Sequence, residues 1–229
     1  MLSNKILYRT LILSVSLALV HLTACWKQQT PDVPEPPEPE GDYRVVAYVP
    51  GWGDVDFATV PANELTHINY AFTKIENGKI HSEMSQDSLY LTNLVNLKNR
   101  NPALHILVSV GGATWSSDFS DMALTDASRK VFSWSVIEFI KKYDLDGVDL
   151  DWEFPGSYLA GEYRPEDKEN FTALLQVMRT HLDSLSQAHQ RSESKPYQLT
   201  IAAGASAYFI SLVELDLIVP LLDFLNIMN

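Results

Sequence analysis

One nine-residue stretch, residues 145–153, constrains the fold of this chain more than any other; it reads L-D-G-V-D-L-D-W-E. Side chains alternate between the two faces of a β-strand, so every second residue points the same way. One face therefore carries three carboxylates, those of Asp149, Asp151 and Glu153. The other face is apolar and consists of Val148, Leu150 and Trp152. The pattern predicts a strand that packs under helices on one side and presents acids on the other.

The spacing of the acids has an electrostatic consequence. Neighbours in the row lie about 6.6 Å apart along a strand, where two ionised carboxylates repel each other by about 2 to 3 kcal/mol. We therefore expect at least one acid to keep its proton at neutral pH. A neutral carboxylic acid can protonate a leaving group, which favours an enzyme. A solvated acidic edge strand or a divalent-cation site would explain neither the apolar opposite face nor Gly147 beside the acids.

The stretch resembles the signature of glycoside hydrolase family 18, the chitinases and their relatives, and every position of that motif is filled. The resemblance implies that Glu153 is the general acid. It also implies that Asp151 orients the acetamido group of the substrate and exchanges a proton with Glu153, while Asp149 supports Asp151. In this family the N-acetyl oxygen of the substrate replaces an enzyme nucleophile. Asp146 and Gly147 complete the motif as structural positions.

The activity implied by the resemblance is retaining, substrate-assisted hydrolysis of β-1,4-linked N-acetylglucosamine polymers such as chitin and chitooligosaccharides, with no cofactor. Two alternatives stay open. An endo-β-N-acetylglucosaminidase that cuts N-glycans uses the same chemistry, and Trp152 in the motif favours chitin over that substrate. The family also includes sugar-binding proteins that have lost the acid, so a non-catalytic glycan-binding surface lipoprotein is the second alternative. The presence of Glu153 favours catalysis.

Residues 1–24 have the pattern of a bacterial lipoprotein signal peptide. Lys5 and Arg9 precede an apolar run at residues 11–20, which is about half the length that spans a bilayer. The following Leu-Thr-Ala-Cys sequence resembles a lipobox and would make Cys25 the lipidated first residue of the mature chain. The alternative is ordinary secretion with Cys25 free. A lipid anchor would hold the protein on a bacterial membrane, at the cell surface or on the periplasmic face.

Residues 25–42 are predicted to form a tether. Residues 30–42 read T-P-D-V-P-E-P-P-E-P-E-G-D, and proline together with like charges favours an extended chain. Cys25 is the only cysteine, which excludes an internal disulfide. The formal net charge of -12 becomes more negative when Lys5 and Arg9 are removed with the signal peptide. This acidity argues against a nucleic-acid partner and favours a neutral polymer as substrate.

From Tyr43 onward the sequence alternates strands with helices. We predict strands at residues 45–49, 65–72, 104–110, 145–153, 198–203 and 224–228, and helices at residues 91–98, 126–143 and 171–182. Near-continuous apolar strands separated by helices indicate an α/β fold with a parallel sheet. The resemblance implies a (β/α)8 TIM barrel, of which residues 43–229 would supply about six of the eight βα units.

Several residues near the C-terminal ends of the predicted strands are candidates for substrate contact, because that end of a barrel carries the active site. The chain contains a match to the S-x-G-G motif of the family, made by Ser109, Gly111 and Gly112. Aromatic rings offer flat apolar platforms for pyranose rings, and the candidates are Tyr48, Trp52, Phe72, Trp115 and Trp152. Met228 is a further candidate.

The six histidines show no paired ligand spacing, so we predict no metal site. His67 and His105 lie in apolar strands and are predicted core residues with satisfied hydrogen bonds. The resemblance implies M-x-Y-D at the end of the sixth strand of the barrel. It also implies a tryptophan from the eighth strand that forms the floor of the sugar site. This sequence ends at Met228 and Asn229, within that motif, so we expect a fragment of a longer product that is inactive by itself.

Overall fold

The computed structural model describes residues 43–158, 161–193 and 195–229. Its strands are β1 (Val46–Pro50), β2 (His67–Glu76), β3 (Lys79–His81), β4 (His105–Gly111), β5 (Gly147–Asp151), β6 (Gln198–Gly204) and β7 (Phe224–Met228). Its α-helices are α1 (Asp87–Asn96), α2 (Phe119–Ala123), α3 (Asp126–Tyr143), α4 (Asp167–Ala188), α5 (Ala207–Leu212) and α6 (Leu215–Ile218). Short 3₁₀ turns occupy Ala62–Glu64, Leu97–Asn99 and Val219–Leu221. The predicted signal peptide, Cys25 and the tether lie outside the described residues.

Six of the strands form one parallel sheet in the order β1-β2-β4-β5-β6-β7. The sheet curls strongly. The evidence is that the ring of His67 on β2 lies 4.9 Å from the ring of Phe224 on β7. This architecture confirms the α/β class and is an incomplete (β/α)8 barrel. Among the described residues, β1 and β7 each pair on one side only. No helix in the same part of the chain is both long and apolar enough to cross a membrane.

A hairpin departs from the predicted elements. β2 continues to Glu76, turns at Asn77 and Gly78, and pairs antiparallel with β3. Both turn residues have positive φ, 53° and 71°, which an Asn-Gly pair adopts readily in a two-residue hairpin turn. The predicted second strand ends too early, at residue 72, where a bulge shifts the register of β2 against β4.

Helix α3 has the bounds that its amphipathic pattern predicts. The Thr125 side chain accepts a hydrogen bond from the Ser128 N–H at 3.1 Å, which satisfies an otherwise unpaired donor at the start of the helix. The helix ends at Tyr143, and the next residue, Asp144, caps it with a left-handed φ of 55°. One face of the helix is buried in the core and includes Phe132, Val136, Phe139 and Ile140.

The apolar face of β5 anchors the strand to the helical layer. Trp152 is only 1% exposed, stacks on Phe119 at 5.2 Å and meets Phe171 of α4 edge-on at 5.6 Å. Burial of an aromatic ring of this size is among the largest single contributions to a core. The prediction that Trp152 contacts substrate is therefore wrong, because its side chain packs among the helices on the other side of the strand from the acids.

Gly147 and Asp146, the structural positions of the motif, have roles in packing and ion pairing around β5. A Cβ atom on Gly147 would lie 2.2 Å from the carbonyl oxygen of Gln198, so the close approach of β6 requires glycine there. Its place beside the acids is thus explained by strand packing and not by the chemistry of the row. Asp146 is buried and forms ion pairs with Lys98 at 2.6 Å and Arg191 at 2.8 Å, which join three separate segments of the chain at the start of β5.

Two histidines stack at the N-terminal end of the sheet. The rings of His67 and His105 lie 4.9 Å apart at 12°, and the Nδ1 atom of His67 lies 2.7 Å from the Thr66 hydroxyl. Burial, followed by the proximity of His105, lowers the pKa of His67 to about 4; Arg44 adds to this effect and Asp146 opposes it. Burial also lowers the pKa of His105. Both rings are therefore neutral in the folded protein at neutral pH.

This pair predicts acid sensitivity of the fold. Between about pH 6.5 and pH 4 the unfolded chain binds a proton at residue 67 that the folded chain does not, so stability falls as the pH falls. The loss should approach about 3 kcal/mol at pH 4 from this residue alone. His67→Phe keeps an aromatic ring and removes the titration, so its free energy of unfolding should depend less on pH. Urea unfolding at pH 7 and pH 5 measures the difference.

The control for this experiment is His81→Asn, because the side chain of His81 is 45% exposed on the hairpin. It should keep the pH dependence of the wild type. A His67→Phe variant whose stability falls with pH as steeply as that of the wild type would contradict the proposed role of His67 in the stacked pair.

Candidate active site

The three acids of the signature stretch line the inner side of the curled sheet. Asp149 and Asp151 belong to β5, and Glu153 follows two residues after its end. Asp149 is fully buried, Asp151 is 3% exposed and Glu153 is partly exposed. Asp151 and Glu153 line a cavity of about 450 Å³ at the C-terminal ends of the strands. The structure thus places the predicted row on one face, with its exposure increasing from the first acid to the last.

Asp149 accepts four hydrogen bonds from four different strands. Its Oδ2 accepts from the hydroxyls of Tyr48 at 2.8 Å and Ser109 at 2.7 Å. Its Oδ1 accepts from the Thr200 hydroxyl at 2.5 Å and the Asn226 amide at 3.0 Å. Hydrogen bonds donated to a carboxylate favour its ionised form. Burial raises the pKa of Asp149, and the hydrogen bonds from these four donors reduce that rise.

Asp151 has the opposite environment. Burial, followed by the charges of Asp149 and Glu153, raises its pKa to about 8. Within the described residues, its Oδ1 atom is buried and has no hydrogen-bond partner. Because one carboxyl of the pair has four donors and the other has none on Oδ1, we assign the negative charge to Asp149 and the proton to Asp151 at neutral pH. This agrees with the expectation that one acid of the row is protonated.

A hydrogen bond from its backbone N–H holds Glu153 at the mouth of the cavity. Its N–H donates to the Ser116 hydroxyl oxygen at 2.9 Å, and that oxygen lies 3.1 Å from the Asp151 carbonyl and 2.9 Å from the Gly112 carbonyl. Ser116 therefore joins the loop after β4 to the end of β5. Burial raises the pKa of Glu153. A carboxyl group with a raised pKa and access to the cavity is suited to general acid catalysis.

Aromatic side chains form the walls of two adjoining cavities. Trp52 stacks against Phe72 at 6.1 Å and 22°, and Tyr48 lies 6.4 Å from Phe72. These three residues and Met228 border the cavity that contains the acids. Trp52 and Phe72 also border a second cavity of about 290 Å³, together with Trp115. The structure thus brings six of the predicted substrate-contact residues, these five and Gly111, to two cavities that share Trp52 and Phe72 as lining residues.

Other predicted contacts have a different role. Ser109 is fully buried and donates to Asp149, so its predicted direct contact with substrate is wrong. A Cβ atom on Gly111 would lie 2.3 Å from the Asp151 carbonyl oxygen, and one on Gly112 would lie 3.0 Å from the Phe72 ring. Both glycines have positive φ. Gly111 borders the second cavity, and the protein's own packing already requires glycine at both positions.

Three polar residues of the site are absent from the sequence predictions. Ser116 positions Glu153, and Thr200 and Asn226 donate to Asp149. Thr200 and Asn226 lie in the predicted fifth and sixth strands. Each is a polar residue within an apolar run, and this was the sequence signal that could have marked it as part of the site. In the described part of the chain, no group of three or more His, Cys, Asp or Glu side chains is arranged to hold a metal ion.

The coupling between the two aspartates is testable. Asp149→Asn removes a charge about 6.6 Å from Asp151 along the strand, a repulsion of about 2 kcal/mol at an effective dielectric constant of 20. The pKa of Asp151, about 8 in the wild type, should fall but stay above that of an exposed aspartate because burial persists. Carboxyl ¹³C chemical shifts followed by NMR against pH measure it. Asp118→Asn, at an exposed aspartate, is the control; an unchanged pKa in Asp149→Asn would contradict the coupling.

Comparison with known proteins supports a single family. The model of "Glycosyl hydrolases family 18" matches residues 44–229. Chitinase A1 of Niallia circulans is 35% identical over 86% of this chain and 35% of its own length. The chitinase ChiW of Paenibacillus sp. FPU-7 superposes with a TM-score of 0.73 at 42% identity, covering 81% of this chain and 24% of that structure.

A third relative carries a different activity in its name. A family 18 N-acetylglucosaminidase from Paenibacillus barengoltzii is 39% identical, has a TM-score of 0.69, and covers 81% of this chain and 53% of its own. The chain spans between 25% and 48% of the length of seven curated relatives that it matches. The matched residues contain the complete acid row, its hydrogen-bond donors and the aromatic groove described above. The chain therefore belongs to family 18 of the glycosyl hydrolases.

Proposed function

We propose that the protein containing this domain hydrolyses β-1,4-linked N-acetylglucosamine polymers such as chitin and chitooligosaccharides. The products would retain the configuration of the anomeric carbon, and the acetamido group of the substrate would act as the nucleophile. The observation that carries the proposal is that Asp151 and Glu153 border the same cavity, where burial raises the pKa of Asp151 to about 8. Asp151 is almost fully buried, whereas Glu153 is partly exposed. Glu153 is therefore the acid that can reach a glycosidic oxygen from the open side of the cavity.

The first step follows from the positions of the acids. Glu153 donates its proton to the glycosidic oxygen, and the acetamido oxygen of the adjacent sugar attacks its own anomeric carbon. The carboxyl group of Asp151, which borders the cavity, accepts the acetamido N–H. The bond to the leaving sugar breaks as the oxazolinium ring forms. Asp149 remains ionised and favours the positive charge that develops nearby.

The second step restores the enzyme. Glu153 is now ionised and removes a proton from water, which attacks the anomeric carbon and opens the ring. Two inversions at one carbon give net retention. Tyr48, Trp52 and Phe72 support this chemistry by providing apolar faces beside the acids, against which pyranose rings can stack. The relatives named as chitinases support this substrate class, while the named N-acetylglucosaminidase supports its sugar unit.

Replacement of the proposed general acid tests the assignment. Glu153→Gln keeps the size of the side chain and removes the proton that it donates. Turnover of chitotetraose by the whole protein should fall by about a hundredfold or more, while oligosaccharide binding persists. Product release measured by chromatography gives the rate, and calorimetry with the same oligosaccharide gives the affinity.

The same substitution at an exposed glutamate of the following loop, Glu162→Gln, is the matched control and should leave turnover unchanged. Undiminished turnover in Glu153→Gln would refute the assignment. The anomer of the first product, observed by proton NMR, tests the retaining course. A preference for high-mannose glycoprotein over chitooligosaccharides would replace chitin with an N-glycan as substrate.

We also propose that Cys25 carries the lipid that holds the protein on a bacterial membrane, at the start of a tether formed by residues 25–42. The support is the signal-peptide pattern and the lipobox resemblance at residues 22–25. A bacterial host that is fed an alkyne fatty acid should label the wild-type protein, and Cys25→Ser should abolish the label and release the protein from the membrane fraction. Labelling that persists in Cys25→Ser would contradict this anchor.

A further inference from the structure

A second groove lies on the outer surface of the domain. It has a volume of about 550 Å³ and shares no lining residue with the two catalytic cavities. It runs between the β2–β3 hairpin and helix α3. Its lining residues are Lys79, Lys130, Val131, Trp134, Ser135 and Glu138. We refer to it as the Trp134 groove.

The indole ring of Trp134 is the platform of this groove. The side chain is 54% exposed, and the His181 ring of α4 lies against it at 4.3 Å and 30°. The Nδ1 atom of His181 lies 2.8 Å from the Ser133 hydroxyl oxygen, so the supporting ring is itself held in place. A single exposed apolar residue needs no explanation. Trp134 differs because its ring is backed by a fixed neighbour and lies beside exposed Val131 in a groove.

Polar groups of both signs surround the indole. Lys130 and Glu138 lie one helical turn on either side of it, at the spacing that places side chains on one helix face. Lys130 bonds Asp126 at 2.7 Å and Glu138 bonds Lys141 at 2.9 Å. An ammonium group has three donors and a carboxylate accepts several hydrogen bonds, so both keep capacity for a ligand. Lys79 adds a donor from the hairpin.

The two walls of the groove are tied together. The N–H of Ile80 on β3 donates to the Ser135 hydroxyl oxygen on α3 at 3.0 Å. The same hydroxyl donates to the Phe132 carbonyl oxygen at 2.6 Å. The hairpin is therefore fixed to the helix next to the indole. A preformed site binds with a smaller loss of conformational entropy than one that must be assembled.

The chemistry of the groove selects a class of ligand. Mixed charges disfavour a phosphate-like anion, and a flat apolar platform with donors and acceptors at its edge matches a pyranose ring with its hydroxyl groups. A stable protein interface needs about 1,000 Å² of buried surface, far more than one indole and one valine offer. We infer that the Trp134 groove is a secondary carbohydrate site that binds a pyranose ring of a neutral polysaccharide.

The identity of that polysaccharide rests on the proposed function. If the acid row cleaves N-acetylglucosamine polymers, the natural ligand of the groove is an uncleaved chain of the same insoluble polymer. The groove would then hold the domain on the solid while another part of the polymer occupies the cavity with the acids. Contact at two separate places raises the effective concentration of substrate near the site.

Binding to insoluble chitin tests the inference directly. The protein is mixed with chitin particles over a range of concentrations, and the unbound fraction gives an apparent Kd. Trp134→Ala should weaken binding by about three- to tenfold, as expected for the loss of one aromatic stacking contact. Trp134→Tyr keeps an aromatic platform and should restore most of the affinity. Leu217→Ala removes an apolar side chain of equal exposed fraction, 54%, from another surface and should bind as the wild type does.

The outcomes separate this inference from the proposed function. Equal binding by the wild type and Trp134→Ala would overturn the inference, even where chitotetraose is hydrolysed normally. Weaker binding by Trp134→Ala, with rescue in Trp134→Tyr, would support it even where the wild type releases no product. A self-association that Trp134→Ala abolishes, without any effect on chitin binding, would identify the groove as a contact between copies and overturn the carbohydrate assignment.

Discussion

The site depends on the burial of a carboxyl group, Asp149, in the middle of a sheet. An isolated buried carboxylate is too costly to persist ionised, so it must either take a proton or receive donors. The structure supplies four donors, two on each oxygen, from Tyr48, Ser109, Thr200 and Asn226. Their effect extends to the next acid of the row. Because Asp149 can stay charged, Asp151 keeps its proton, and the two carboxyl groups differ in state although they share a strand and a face.

The opposite face of the same strand fixes the direction of the acids. A strand whose apolar residues pack firmly cannot rotate, and Trp152 lies between Phe119 and Phe171 with almost no exposure. A slip of one residue would place Trp152 in the cavity and the acids among the helices. Gly147 permits the neighbouring strand to approach closely enough to maintain this register. The packing on the apolar face is therefore part of what positions the three acids, although none of these apolar-face residues lines the cavity that contains the acids.

The sequence predicted the strand and its two faces, because alternation with period two is a local property. The donors to Asp149 could not be predicted in the same way, since their convergence depends on the register between strands that are far apart in sequence. The substrate role predicted for Trp152 rested on its aromatic ring near the end of a strand, whereas the alternation already placed it on the apolar face. The Asn77-Gly78 pair was a local signal for the hairpin and was available from the sequence.

The curvature of the sheet and the chemistry of the site are linked through the same carboxyl group. Tyr48 belongs to β1 and Asn226 to β7, the two outer strands of the sheet in the described residues, yet both donate to Asp149 on β5. A flat sheet would separate β1 from β5 by three strand spacings of about 4.8 Å, beyond the reach of a tyrosine. The sheet must therefore curl before Asp149 can have its full set of donors. Any change that flattens the sheet would remove donors from Asp149 and bring its pKa and that of Asp151 closer together, so the protonation state of the acids depends on the closure of the fold around them.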